Sequence, residues 1–473
     1  MMEHPRIIQG GMGIAVSGWQ LARAVSRLGQ LGVVSGTAID TVMVRRLQDG
    51  DQGGHVQRAM RAFPMADVCE QVMKRFYRTL GRRGTPYATV PMFRRMVSVD
   101  RARLAILANF VEVWLAKEGH DGVVGVNLLT KVQMPNLPSL YGAMLADVDY
   151  VLMGAGIPRE IPGVLDALAQ HRVARIKFDV EGPAGASPDE LVFDPAVHLP
   201  GYHAPLLRPK FIPIVSASSL ATTLARKATG RVDGFVVEGP TAGGHNAPPR
   251  GEPRFNDDGE PLYGERDVVD LAKMRELGLP FWLAGGAGTP EALRNALEQG
   301  AAGVQVGTLF AYADESGLAP DLKSAVLDGI ASGDVRVRTD PRASPTGYPF
   351  KIVQLDAVSQ QDETRERKCD LGYLRTAYRT ENGRVGYRCP AEPVDQYVAK
   401  GGDVADTVGR RCLCNGLEAN IGQAQKRAWG EEPPLITSGD DLVSLTSFAR
   451  GRTSYSAADV VEYLCAESAV EAS

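Results

Sequence analysis

Eight short apolar runs, each followed by a stretch with helical spacing of its apolar residues, recur along the first two thirds of the chain and constrain its fold more than any other feature. They cover 6–9, 32–35, 123–128, 150–153, 212–216, 234–237, 281–284 and 303–306. Runs this short, bounded by turn residues and separated by amphipathic segments, predict parallel strands joined by crossover helices. Eight such units are what a closed (β/α)8 barrel needs, and that is the fold class the pattern predicts. The helices carry start and stop signals. Thr289 is placed to cap a helix with Pro290 at its first position, Leu293, Ala296 and Leu297 share one face, and Gly300 ends it. Ser17 and Gly29 bracket a similar segment that carries Leu21, Val25 and Leu28.

The chain has 473 residues, more than the roughly 250 of a typical α/β barrel, so decorations on one barrel are expected. Residues 1–342 read as the barrel. A helical insertion, rich in Arg and Met, occupies 41–120, and a β-hairpin insertion built from two alternating runs occupies 175–205. From 343 the strand-helix alternation stops, and 343–473 read as a C-terminal extension packed on the barrel. A net charge of -4 gives no electrostatic reason to expect nucleic acid or an anionic membrane as a partner. No run of about 18 apolar residues occurs, and 1–6 lack the apolar core of a signal peptide, so a cytoplasmic location is expected. Six cysteines in this arrangement do not form a secreted disulfide framework.

Four glycine-rich turns fall at the ends of predicted strands: Gln9-Gly10-Gly11-Met12-Gly13, Glu238-Gly239-Pro240-Thr241-Ala242-Gly243-Gly244-His245, Gly285-Gly286-Ala287-Gly288, and Gln305-Val306-Gly307-Thr308. A strand, a glycine turn and a helix amino terminus make an anion site, because unpaired backbone N–H groups and the helix dipole face the ligand. Gly285, Gly286, Gly307 and Thr308 follow the last two strands, where many barrels hold a phosphate. Gly10, Gly11, Gly243 and Gly244 lack a Cβ and let the backbone approach a flat ligand. His245 stands at the rim as the candidate acid or base. Together the turns describe a phosphorylated planar cofactor with substrate above it, and FMN fits that description. No G-x-G-x-x-G turn with an acidic partner opens a βαβ unit, which argues against a dinucleotide site of that type.

The motifs Ile7-Ile8-Gln9-Gly10-Gly11-Met12, Gly125-Val126-Asn127-Leu128, Ala242-Gly243-Gly244-His245, Ala284-Gly285-Gly286 and Gly303-Val304-Gln305-Val306-Gly307-Thr308 occur in this order. Over 5–317 the chain thereby resembles the FMN-dependent nitronate monooxygenases, also called 2-nitropropane dioxygenases. The resemblance implies that Gly11 and Met12 line the isoalloxazine and that Asn127 hydrogen-bonds it. It puts Glu238 near the flavin or its ribityl chain, Gly243, Gly286, Gln305, Val306, Gly307 and Thr308 around the ribityl phosphate, and His245 in the role of catalytic base. Relatives often carry a lysine in the strand matching 212–216, where this chain has Ile214, Val215 and Ser216. The two insertions and the long extension are similar to those of the trans-acting enoyl reductases of polyketide and polyunsaturated fatty acid synthesis, which share the barrel and the glycine-glycine-histidine turn.

The expected activity is therefore that of an FMN-dependent oxidoreductase, with oxidation of an alkyl nitronate or related carbanion-forming substrate by O2 ranked first. The alternative is reduction of an enoyl thioester with NAD(P)H as electron donor, which brings an acyl carrier or synthase partner with it. A flavin-free phosphate-binding barrel isomerase is the alternative of another class, against which Asn127 and Met12 argue. A homodimer is compatible with either flavin reading. The loop 246–263 is placed as a lid, and Arg75, Arg78, Arg82 and Arg83 read as a solvated helix face ahead of a carrier-binding patch. Cys369, Cys389, Cys412 and Cys414 lack the usual C-x-x-C zinc spacing, so no metal is assigned and buried or substrate-facing thiols are expected.

Overall fold

Eight parallel strands close into a barrel in a computed structural model that describes residues 4–183, 188–355, 365–449 and 452–466. In chain order the strands of the whole structure begin with β1 (Ile7–Gln9), β2 (Leu31–Ser35), β3 (Val124–Leu129), β4 (Tyr150–Gly154), β5 (Ala174–Lys177), β6 (Val180–Glu181), β7 (Glu190–Phe193) and β8 (Lys210–Val215). They continue with β9 (Phe235–Glu238), β10 (Phe281–Ala284), β11 (Gly303–Val306), β12 (Arg336–Asp340), β13 (Phe350–Gln354), β14 (Thr376–Arg379) and β15 (Val385–Arg388). The barrel order is β1-β11-β10-β9-β8-β4-β3-β2, closed by Ile7 against Val304 and Ile8 against Leu31. All eight strands expected from the sequence are these barrel strands, displaced at their ends by two residues at most. The (β/α)8 barrel is the fold of the chain.

Alternation along each strand divides the core in two. Ile8, Leu31, Val33, Tyr150, Leu152, Ile212, Val236, Trp282 and Ala284 form one cluster from alternate strand positions, the filling of the barrel itself. Their neighbours Ile7, Val34, Val126, Val151, Phe211, Phe235, Phe281, Val304 and Val306 belong to a larger cluster shared with the surrounding helices. Thr289 caps the helix Pro290–Glu298 by accepting from the Ala292 N–H at 3.1 Å. Ser17 does not cap the helix Trp19–Arg27, whose cap residue is Gly18. The Ser17 hydroxyl is buried and instead donates to Gly10 O at 2.9 Å and accepts from Met12 N at 3.0 Å, so it braces the first glycine turn.

Between β2 and β3 the chain forms the helices Ile39–Gln48, His55–Met60, Ala66–Phe76 and Val99–Lys117. The last packs against the helix Gln133–Leu145 at a close crossing, where a Cβ on Gly142 would stand 2.1 Å from the carbonyl oxygen of Ile106. Arg75, Arg78 and Arg83 are exposed, while Arg82 pairs with Asp49 at 2.8 Å. β5 and β7 pair antiparallel, Ala174 against Phe193, and residues 184–187 of the turn between them lie outside the described residues.

Beyond the barrel, β12 and β13 form an antiparallel pair, and β14 and β15 another that adds to β6. The helix Ala457–Cys465 returns to pack on the helices Trp19–Arg27 and Pro290–Glu298. The extension thus touches the barrel both at its rim and along its side. Among the described residues no helix is long and apolar enough to cross a membrane.

Candidate active site

The glycine turns converge at the carboxyl ends of the barrel strands around a cavity of about 210 Å³. Gly11, Met12, Asn127, Glu238, Gly243, Gly244, His245, Gly285, Gln305, Gly307 and Thr308 all line it. Gly286 and Val306 do not. The Val306 side chain points outward into the helix-facing core, as alternation requires once Gln305 faces inward. Gly286 turns with φ +65° behind Thr241 and contributes to the shape of the turn.

The first glycine turn shows why its side chains are absent. A Cβ on Gly11 would lie 2.4 Å from Cβ of Asn127 and 2.9 Å from its Nδ2. This approach brings the Asn127 amide to Gly11 O at 3.4 Å, a weak contact, and leaves Oδ1 buried without a hydrogen-bond partner. Gln305 Oε1 is likewise buried and unpartnered. Two orphaned amide oxygens on a glycine-walled cavity are groups that a heteroaromatic ligand with N–H donors satisfies, since leaving them unmade costs about 1–3 kcal/mol each. The residues present therefore fit a flavin. Gly285, Gly307 and Thr308 offer backbone beside it for a phosphate.

The His245 turn is pinned from both sides by the extension. Gly244, at φ +77°, donates its N–H to Thr437 Oγ1 at 2.9 Å and accepts from Lys351 N at 3.0 Å. Asp440 N bonds Thr241 O at 2.9 Å, and a Cβ on Gly243 would meet the Ser438 carbonyl carbon at 2.8 Å. His245 Nε2 lies 2.7 Å from Ser344 Oγ, which is 2.8 Å from Thr346 Oγ1. Lys131 donates to Thr346 O at 3.2 Å and sits over the Tyr348 ring.

These surroundings set the charges. Burial, and after it the Lys131 ammonium, hold the His245 imidazole down at about 4, so it is neutral at pH 7. Burial lowers Lys131 itself to about 8, and raises the Glu238 carboxyl to about 7. No side-chain hydrogen bond or ion pair stabilises the ionised form of Glu238 among the described residues. The strand 212–216 supplies no cation here, and Ile214 lines the cavity; the positive charge that acts on His245 comes from Lys131, on the loop after β3.

Much of the outer wall comes from residues whose roles no sequence motif signalled. Phe350, Tyr373, Leu374, Leu413, Cys414 and Leu417 form an apolar side, and Thr437, Ser438, Gly439 and Asp441 a polar one. Gly439 N donates to Thr308 Oγ1 at 3.1 Å, and the Thr308 hydroxyl donates to the Asp441 carboxylate.

Residues 206–360 match the nitronate monooxygenase family. This segment carries β8 to β11, the His245 turn and the β12–β13 pair, so the match covers part of the cavity wall and the candidate histidine. The family supports a flavin-dependent oxidoreductase. Among solved structures, nitroalkane oxidase from Streptomyces ansochromogenes is 18% identical with a TM-score of 0.46, covering 98% of this chain and 95% of its own. The enoyl reductase domain of MlnA from Bacillus amyloliquefaciens is 12% identical with a TM-score of 0.46, covering 97% and 92%. FabK from Thermotoga maritima is 19% identical with a TM-score of 0.42, covering 76% and 75%. No curated protein matches the sequence closely enough to serve as a relative.

Proposed function

We propose that this protein is an FMN-dependent reductase of a carbonyl-conjugated double bond, acting on an enoyl thioester with NAD(P)H as electron donor. The observation that carries this reading is the apolar wall of Phe350, Tyr373, Leu374, Leu413 and Leu417, which shares the cavity with His245 and suits an acyl chain. Burial, which lowers the His245 imidazole, also makes it a weaker base toward the α-proton of a neutral nitroalkane. A neutral imidazole is instead suited to donate a hydrogen bond to a carbonyl oxygen that gains charge, as the handling of histidine in other barrels shows. When Thr346 donates through both its N–H and its hydroxyl to Ser344 Oγ, the serine proton is directed at His245 Nε2. That tautomer leaves the proton on Nδ1.

Gly11, Asn127, Glu238 and Gln305 would hold FMN, which would supply two-electron chemistry when bound. His245 orients the substrate carbonyl and, with the Lys131 charge behind it, stabilises negative charge on that oxygen. Phe350, Tyr373, Leu374, Leu413 and Leu417 exclude water and pack an acyl chain. A carrier-bound acyl group is the substrate form that suits a wall built by the extension.

Nitronate oxidation, first in rank from the motifs, is the second reading. It is supported by the family matched over 206–360, and a preformed nitronate needs no base. Anaerobic mixing separates the two. Under the reductase reading NADPH or NADH bleaches the flavin band and an enoyl thioester restores it, while an alkyl nitronate leaves the oxidised band unchanged. Bleaching by nitronate alone would reverse the order, and a protein that takes up no flavin would end both.

A further inference from the structure

The corner of the cavity that offers backbone to a phosphate also holds a carboxyl from the extension. Asp441 lines it together with Gly285, Gly307 and Thr308. The residue precedes the helix Leu442–Phe448, where an aspartate ordinarily accepts from the first N–H groups, yet its side chain makes no such bond. It folds back instead and accepts from the Thr308 hydroxyl, at the start of the short helix Thr308–Ala311. Two glycines give it room. A Cβ on Gly439 would stand 2.6 Å from Asp441 Oδ1, and one on Gly288 would stand 3.1 Å from Oδ2.

Nothing around this corner balances a second negative charge. Among the described residues no lysine or arginine lines the cavity, and Glu238 and Asp441 are its only carboxyls. Lys351, the cation that acts on Asp441, is engaged by the neighbouring residue. Its ammonium donates to Asp440 Oδ1 at 2.7 Å, to Asp440 Oδ2 at 2.9 Å and to Thr339 Oγ1 at 2.7 Å. Burial raises the Asp441 carboxyl most, the Thr308 bond and Lys351 lower it, and the like charge of Asp440 raises it again. Tyr312 faces Asp441 as well, and burial keeps its hydroxyl protonated.

A phosphate monoester carries a charge of about −1.5 to −2 at pH 7, with its second ionisation near pH 6. Beside a carboxylate in a cavity without cations it meets the limit of two carboxylates that share one site: full ionisation of both is disfavoured, and a proton is retained between them. We propose that Asp441 recognises the phosphate of FMN by sharing one proton with it. A free carboxylate and a free phosphate dianion take up that proton on association, and it bridges a carboxyl oxygen and a phosphate oxygen. Flavin uptake thereby becomes sensitive to pH at the phosphate end. Riboflavin has no phosphate and takes up no proton there. The inference rests on the flavin reading of the cavity and holds for either direction of electron flow past His245.

The test is titration of the full-length protein, freed of flavin, with FMN and with riboflavin, followed by flavin fluorescence across neutral pH and by calorimetry in two buffers of different ionisation enthalpy. The Kd for FMN, taken relative to riboflavin, is expected to rise about tenfold per pH unit above about pH 7, with about one more proton taken up per FMN. Titration of Glu238 acts on both ligands and cancels in their ratio. Asp441→Asn, whose amide donates without taking up a proton, is expected to lose this slope and to bind FMN about tenfold more tightly than the wild type near pH 8. The proton count on the wild-type protein decides even where the variant folds poorly. Equal pH dependence and equal proton uptake for FMN and riboflavin would overturn the inference and leave the flavin reading standing. A protein that binds neither flavin would overturn both.

Discussion

His245 on the loop after β9 and Ser344 on the loop between β12 and β13 are joined by a 2.7 Å contact between Nε2 and Oγ, and that contact couples the barrel to its extension at the reacting end of the cavity. Ser344 is fully buried and held in turn by Thr346, so the imidazole is oriented by groups 99 residues further along the chain. Ser344→Ala should keep flavin and lower kcat/KM by about tenfold, the value of one hydrogen bond of about 1.4 kcal/mol. His245→Ala should also keep flavin and lose about 10²–10³ in rate, the value of one donor to a developing oxyanion. Flavin content and steady-state rates on the same preparations check both, and loss of flavin from His245→Ala would assign the ring a structural role.

The low value for His245 has a sign that can be read in a pH profile. An imidazole moved from 6.5 to about 4 binds fewer protons folded than unfolded, so its contribution to stability falls away as pH drops from 6.5 toward 4. Activity should accordingly show no ascending limb near pH 6–7 that His245→Gln abolishes. Glu238 is displaced the other way, to about 7, and binds more protons folded than unfolded between 4.5 and 7. Any break near pH 7 should therefore vanish in Glu238→Gln. The same variant should raise thermal stability at pH 8 by on the order of 1 kcal/mol after allowance for solvent screening, and leave it unchanged at pH 4.5. A limb near 6.5 that follows His245 would restore the proton-abstracting base.

How much of this was legible beforehand depends on how local the cause is. The eight barrel strands and most of the cavity floor could be read because strand alternation, glycine turns and Thr289 act within a few residues of themselves. Ser17 misled for the same reason: it has the chemistry of a helix cap, but its hydroxyl is spent on Gly10 and Met12 in a buried turn. Val306 was assigned with its neighbours, and the pleat turned it away. The outer wall was invisible because Tyr373, Leu413 and Ser438 reach the cavity only through tertiary packing between segments far apart in sequence, and no local periodicity encodes that. Cys369, Cys389, Cys412 and Cys414 are the extreme case, since residues spread over the extension meet around one small cavity.

Gly11 offers a steric test of the cavity floor. Its backbone is not in the left-handed region, so Gly11→Ala adds no conformational strain and only the 2.4 Å approach to Asn127. Overpacking of this kind typically costs about 1–3 kcal/mol. Here the cost should appear mainly as weaker flavin binding, because Asn127 must leave its position to make room. Gly29→Ala is the matched control, with φ +74° and no atom within 4 Å of the added carbon. It should lower thermal stability slightly and leave flavin content at the wild-type level. Equal flavin loss in both variants would show that the Gly11–Asn127 contact does not shape the site.

The last prediction concerns what holds the apolar wall in place. Asp40, from the first helix after β2, forms a buried ion pair with Arg101 of the helix Val99–Lys117 and accepts a 2.7 Å hydrogen bond from Tyr373 OH, which accepts one from Thr41 at 2.7 Å. Arg101 also donates to Pro91 O at 2.7 Å and covers the Phe93 ring. One carboxylate therefore joins the barrel helix, the insertion and the extension residue that lines the cavity. Asp40→Asn keeps the shape but leaves the guanidinium buried without its counter-charge, and should cost about 3–5 kcal/mol. Tyr373→Phe removes one hydrogen bond and leaves the ion pair, and should cost about 1 kcal/mol. Chemical denaturation of the flavin-loaded proteins compares them. Similar losses from both would mean that the tyrosine, and not the charge pair, anchors the wall, whereas the expected gap places the anchor at Asp40.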